Sequence, residues 1–143
     1  MRMFVVFCGI PASGKTTKSQ EVSKQYNAKL YCFDEYKIKV RQLSGMTSHE
    51  RMYQDIKSDL LQGHDVVLDD LHTRLEWRES LLSALQDIPC KKILIVMTTP
   101  LEECVRRNAQ RQKGRLPDFV IYHLNQRYQP PSLEEGWDDI QYI

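Results

Sequence analysis

The sequence predicts an α/β fold with a mostly parallel five-stranded sheet, and three observations predict it. Short apolar runs alternate with segments of helical period along the whole chain. Three of those runs are near-continuous β-branched and aliphatic stretches, as strands covered on both faces require. Between the first run and the first helical segment stands "GIPASGKTT", with the spacing G-x-x-x-x-G-K-T.

The elements follow in order. Residues 3–8 (MFVVFC) read as the first strand, and a helix runs from about Thr16 to Tyr26. Residues 29–33 (KLYCF) form the second strand. Ser48 to about Gln62 is a helix, with Thr47 and Glu50 in capping-box spacing. Its Met52, Ile56 and Leu60 recur every fourth residue, and Tyr53 and Leu61 are expected on the same side. Residues 65–69 (DVVLD) give the third strand. Leu75 to Ile88 is helical and lines up Trp77, Leu81, Leu82, Leu85 and Ile88. Residues 92–98 (KILIVMT) are the fourth strand; Thr99 as N-cap, Pro100 and Glu102 open the next helix. The last helix follows Pro117, with Val120, Leu124 and Tyr128 four apart, and residues 139–143 (DIQYI) close the sheet. Every apolar stripe is expected to be core. "QPPSLEEGWDD" is the one composition break, expected to run over the surface.

At 143 residues the expectation is a single domain, 1–143, large enough to hold a core unaided. Crossovers between parallel strands are expected to be right-handed. A formal net charge of +1 excludes a uniformly basic nucleic-acid surface, leaving local patches to attract polyanions. Cys8, Cys32, Cys90 and Cys104 are widely spaced, with no C-x-x-C pair, and read as reduced thiols. No run resembles a signal peptide or membrane span. The expectation is a soluble, cytoplasmic protein with no membrane partner. Nothing in the sequence reports its oligomeric state.

The glycine-rich stretch is a phosphate cradle. Gly9 and Gly14 permit backbone conformations closed to other residues, so the N–H groups of residues 10–16 converge on oxygens. Ala12, Ser13 and Thr17 complete the nucleotide-binding set, and the following helix adds its N-terminal partial charge. Lys15 is placed for the β- and γ-phosphates of ATP, and the Thr16 hydroxyl for Mg²⁺. A switch GTPase would carry a base-selecting N-K-x-D, which is absent. A motor ATPase would need a longer chain. A small phosphotransferase remains.

Three further segments bear on the acceptor. In "YCFDEYKIKVR", Asp34 follows the second strand's carboxyl end, where open sheets place their ligand crevice. It reads as the carboxylate that takes a hydroxyl proton or as a helix cap. Lys37 and Arg41 lie one and two turns on, placed for an acidic acceptor. In "VVLDDLHTR", an apolar strand ends in Asp69-Asp70, the general form of a metal-shell or acceptor-orienting carboxylate. Asp70 is the better candidate, because Asp69 can still belong to the strand. His72 reads as a surface or loop histidine. In "CVRRNAQRQKGRLP", five basic residues fall within ten positions. They form either a solvated face or a lid that brings Arg111 and Arg107 onto the transferring phosphate.

These pieces, with "VIYHLNQRYQPPSLEEGW" after them, resemble the polynucleotide 5′-hydroxyl kinase family, among the small P-loop kinases of the AAA_33 and zeta-toxin-like group. The resemblance covers nearly the whole chain. It implies a P-loop kinase-type three-layer sandwich with a short arginine-bearing lid. It also implies ATP as donor, Mg²⁺ as cofactor and a nucleic acid with a 5′-hydroxyl end as partner. It makes Lys15, Asp34 and Arg111 catalytic, with Asp34 the base and Arg107 beside Arg111. It places Asp70 behind an acceptor-binding basic residue; where the family has an arginine this chain has Lys37, and Arg41 is the nearest arginine. A small-molecule kinase would share the same loop. A nucleotide-gated binding module is the remaining alternative.

Overall fold

The computed structural model describes residues 1–40 and 47–143. Five strands, β1 (Arg2–Cys8), β2 (Lys29–Cys32), β3 (Val66–Asp69), β4 (Cys90–Val96) and β5 (Asp139–Tyr142), form one sheet in the order β2-β3-β1-β4-β5. Every pairing is parallel. Six helices are described: α1 (Lys15–Gln25), α2 (Phe33–Val40), α3 (Ser48–Leu61), α4 (Leu75–Ala84), α5 (Leu101–Ala109) and α6 (Asp118–Gln126). A 3₁₀ turn, Leu133–Glu135, precedes β5.

The apolar runs are continuous because both sheet faces are covered. Phe4, Val6, Cys8, Val66, Leu68 and Leu94 point toward Met52, Ile56 and Leu60 of α3 and Leu81 of α4. Val5, Phe7, Val67, Ile93 and Ile95 point the other way, toward Val22 of α1. The result is three layers. A smaller cluster of Ile10, Ala12, Cys104 and Ile121 joins α5 and α6 to the loop after β1, so the basic segment is anchored beside that loop.

The helix starts and stripes depart from expectation at particular residues. Thr47 and Glu50 do form the capping box on α3. Leu61 points outward at 66% exposure, because Leu60 already completes the buried stripe. On α4, Trp77 is partly exposed and Arg78 is fully buried. Thr99 does not cap α5; Pro100 holds the cap position, and the Thr99 hydroxyl donates to the Ser13 carbonyl at 2.7 Å. That bond ties the end of β4 to the phosphate loop. Ile121, rather than Val120 or Leu124, is the fully buried residue of α6.

The surface expectation for "QPPSLEEGWDD" fails at two side chains. Trp137 is buried and donates through Nε1 to Glu135, whose carboxylate meets Arg78 in a two-pronged ion pair. Arg78 also donates to the His72 carbonyl at 2.9 Å. The pair thus braces the loop after β3. All four cysteines are free, and burial raises the Cys8 thiol to about 11. No helix among the described residues is long and apolar enough to cross a membrane.

Candidate active site

The loop after β1 is shaped by two left-handed residues, Ala12 at φ 65° and Gly14 at φ 95°. A Cβ at Gly9 would lie 2.7 Å from Ser13 Oγ and 3.1 Å from the Met97 side chain, so this turn accepts only glycine. Gly14 is the cap residue of α1, and no side chain caps that helix. The N–H groups of its first turn therefore stay open to an anion.

Ala12, Gly14, Lys15, Thr16, Thr17, Arg107 and Arg111 line one open pocket of about 360 Å³. Gly9 and Ser13 lie beneath it, and the Ser13 hydroxyl is buried with no hydrogen-bond partner. Lys15 is buried and donates to the Ile10 carbonyl at 3.1 Å. Burial pushes its ammonium below the usual range, while Asp69 and Asp70 pull it back up. An arriving phosphate would supply the charge that this lysine lacks a full partner for.

Beside the pocket, Thr16 Oγ1 donates to Asp69 Oδ2 at 2.9 Å. The sequence favoured Asp70 for the carboxylate next to the loop. Asp69 does close the strand, as feared for it, yet it is there that the parallel register brings its side chain beside Thr16. A hydroxyl and a carboxylate are hard oxygen donors that suit Mg²⁺. Among the described residues no cluster of three or more His, Cys, Asp or Glu side chains forms a full cage, and Mg²⁺ with nucleotide phosphates does not need one. The residues present fit the ion.

The basic segment is built around Asn108. This residue is fully buried; its Nδ2 donates to the Leu116 carbonyl at 2.7 Å and its Oδ1 accepts from the Leu116 N–H at 3.0 Å. Both strands of the turn after α5 are thereby clamped at their base, with Arg111 carried between them. Glu103 holds Arg106 and accepts from Arg107 Nε at 3.0 Å. Arg107 and Arg111 thus reach the pocket, while Arg106 is held at the exposed end of that pairing.

On the acceptor side, α2 begins directly after β2, which puts Asp34 in its first turn. The Asp34 side chain is 93% exposed and pairs with Lys37 at 3.2 Å. Lys37 also sits over the Phe33 ring at 5.6 Å. Arg41 lies outside the described residues. Asp70 does not meet Lys37: its Oδ2 lies 3.1 Å from His49 Nε2, and its Oδ1 accepts from the Leu71 N–H at 2.8 Å. Burial would raise the Asp70 carboxyl, but the His49 hydrogen bond, nearby His72 and the Leu71 N–H together hold it below the usual range.

His72 corrects the sequence reading. It is buried, with φ 48°, and its carbonyl accepts from Arg78 and Cys8 Sγ. The left-handed turn folds the ring inward, off the surface. Burial lowers its pKa.

With loop, lid and sheet in place, the comparisons can be read. The AAA domain family profile (AAA_33) matches residues 4–131. The chain belongs to the AAA domain family. Its fold is that of a P-loop kinase. This AAA-domain chain is 24% identical over 144 residues to L-seryl-tRNA(Sec) kinase of Methanococcus maripaludis, covering 95% of this chain and 56% of that protein. It spans about half the length of the curated relatives it matches. A solved structure from Chloroflexus aurantiacus superposes with a TM-score of 0.79 at 19% identity, over 99% of this chain and 84% of that one. A fungal RNA kinase superposes with a TM-score of 0.72 at 16% identity, over all of this chain and 38% of that one.

Proposed function

We propose that the chain is an ATP- and Mg²⁺-dependent kinase that moves the γ-phosphate to a 5′-hydroxyl of RNA or DNA. The observation that carries this reading is the pairing of a preformed donor pocket with an open acceptor side. Lys15, Thr16, Arg107 and Arg111 converge on the pocket, whereas Asp34 stands almost fully exposed at the carboxyl end of β2. A polymer end suits such an exposed carboxylate better than a small molecule, which a kinase commonly encloses. Similarity to a tRNA-directed kinase and an RNA kinase supports the same choice.

In this reading the loop N–H groups and Lys15 hold the donor phosphates. Thr16 offers its hydroxyl to the metal, and Asp69 accepts from Thr16 and faces the metal's water shell. Mg²⁺, when bound with the nucleotide, neutralises phosphate charge. Arg107 and Arg111 meet charge that develops as the phosphoryl group moves. Asp34 and Lys37 orient the acceptor end, with Arg41 assigned to the same role by the sequence. The work is positioning and charge stabilisation. Four free thiols accord with residence in the cytoplasm.

The test is γ-labelled ATP offered to a 5′-hydroxyl oligonucleotide, to a panel of nucleosides and sugars, and to no acceptor. Label in the oligonucleotide supports the reading. Label only in a small molecule replaces it with a small-molecule kinase, and hydrolysis alone replaces it with a nucleotide-gated module.

A further inference from the structure

The polar cluster that the sequence did not disclose lies between α2, α3 and the end of β3. His49, the second residue of α3, stacks on Phe33 with ring centroids 3.7 Å apart and planes 13° apart. Its Nε2 lies 3.1 Å from Asp70 Oδ2. A carboxylate accepts only, so Nε2 carries the proton and Nδ1 presents a lone pair. Among the described residues Nδ1 has no hydrogen-bond partner. The ring is held on one side by stacking and on one edge by a carboxylate, yet 44% of the side chain remains exposed.

Its position is as telling as its chemistry. Phe33 is the neighbour of Asp34, and Asp70 is the neighbour of Asp69, which takes the Thr16 hydrogen bond. One imidazole therefore stands between the acceptor-side turn and the strand end beside the phosphate loop. Asp34 itself has no such restraint: it is solvated and paired only with mobile Lys37. A group that must meet a hydroxyl in one geometry gains from being fixed beforehand.

We propose that His49, oriented by Asp70, is the catalytic base of this kinase. In the step, the acceptor O–H bond breaks and its proton goes to His49 Nδ1. The acceptor oxygen forms a bond to the γ-phosphorus as the bond from that phosphorus to the β-bridging oxygen breaks. The bonding pair leaves on ADP. Asp70 is a positioning residue that fixes the tautomer and faces the imidazolium that forms. Asp34 then orients the acceptor rather than taking its proton. This assignment deepens the kinase reading and rests on it.

The groups facing His49 are Asp70 from the β3 end with His72 behind it, Lys37 across the Phe33 ring from α2, and Tyr53 on α3 with its ring 5.9 Å away. Only Asp70 is an anion in contact.

The experiment measures kcat against pH, with saturating ATP and acceptor, for the wild type and for His49→Gln, His49→Asn and Asp34→Asn. Glutamine can still donate to Asp70, and melting with a non-hydrolysable ATP analogue shows that each variant folds and binds nucleotide. The wild type is expected to gain rate as pH rises through a group near the ordinary histidine range, about 6.5. Both His49 variants should lose about 10² to 10⁴ in kcat, the range of a positioned base, and should lose that acid limb. Asp34→Asn should raise acceptor KM and keep the limb. A fall of less than threefold in the His49 variants overturns the proposal, and so does an acid limb that survives in them and disappears in Asp34→Asn. If wild-type enzyme ignores the oligonucleotide but labels another acceptor, the polynucleotide reading fails alone, and the same profiles on that acceptor still decide the role of His49.

Discussion

The Thr16 hydroxyl donates to Asp69 Oδ2 at 2.9 Å, joining the first turn of α1 to the last residue of β3 across fifty-three positions of sequence. This bond fixes the direction of the hydroxyl before any metal arrives. Asp69→Asn keeps the shape but loses the anion, and Thr16→Ala loses the hydroxyl itself. Outer-shell partners of a metal contribute about 10- to 100-fold in affinity or activity. Titrating Mg²⁺ into the kinase assay should show a raised half-saturating concentration of that order in both variants. An unchanged Mg²⁺ dependence removes the pair from the metal's surroundings.

Lys15→Ala should cost at least about 10² in kcat, the loss on removing one preorganised donor from developing charge. Stability should hold or rise slightly, since a buried ammonium with only one carbonyl partner is replaced. Rate and thermal melting measured together separate these effects. A destabilised protein would make Lys15 structural.

Arg111→Ala is expected to lose about 10³ in kcat, the low end for an arginine that meets the transferring phosphate, with ATP affinity little changed. Arg107 lines the same pocket but is held by Glu103, so it compensates only in part. Asn108→Ala should reproduce part of the loss by releasing the base of the turn. A change of tenfold or less in Arg111→Ala makes the segment a solvated basic face.

The Arg78–Glu135 pair predicts an effect on stability. Glu135→Gln leaves a fully buried guanidinium short of its anion, a loss of about 3–5 kcal/mol. Burial alone would raise the Glu135 carboxyl; Arg78, Trp137 and the Ser132 N–H outweigh it and hold the carboxyl below its usual range. The folded pKa being the lower one, the pair's contribution is complete above the unfolded value, about 4.3, and is lost as pH falls through the folded one. Acid unfolding followed by circular dichroism should begin at higher pH in Glu135→Gln than expected from net charge alone only if this sign is wrong; the account predicts that the variant instead loses the wild type's acid-dependent component.

The fold was legible because its signals are local. The continuous runs at residues 3–8, 65–69 and 92–98 can exist only where both faces are covered, and the loop motif states its own strand-to-helix context. What stayed hidden depends on contacts distant in sequence. Arg78 interrupts an apolar stripe, and its partner Glu135 lies fifty-seven positions away. His49 has no periodic signature; Thr47 and Glu50 announced the start of α3, but nothing announced that Phe33 and Asp70 would meet its second residue. Thr99 looked like a cap until the Ser13 carbonyl was close enough to compete for its hydroxyl. Choosing between Asp69 and Asp70 required the register of β3, which two adjacent carboxylates cannot reveal.

The central claim is transfer to a 5′-hydroxyl end, and one matched pair of substrates tests it most directly. A short single-stranded RNA is prepared with a 5′-hydroxyl and, in otherwise identical form, with a 5′-phosphate, and each is incubated with the protein, γ-labelled ATP and Mg²⁺. The account predicts stable label on the 5′-hydroxyl RNA, none on the 5′-phosphorylated RNA, and removal of that label by a 5′-phosphate-specific phosphatase. Equal labelling of both RNAs, or of neither while a nucleoside or sugar is labelled, would contradict it.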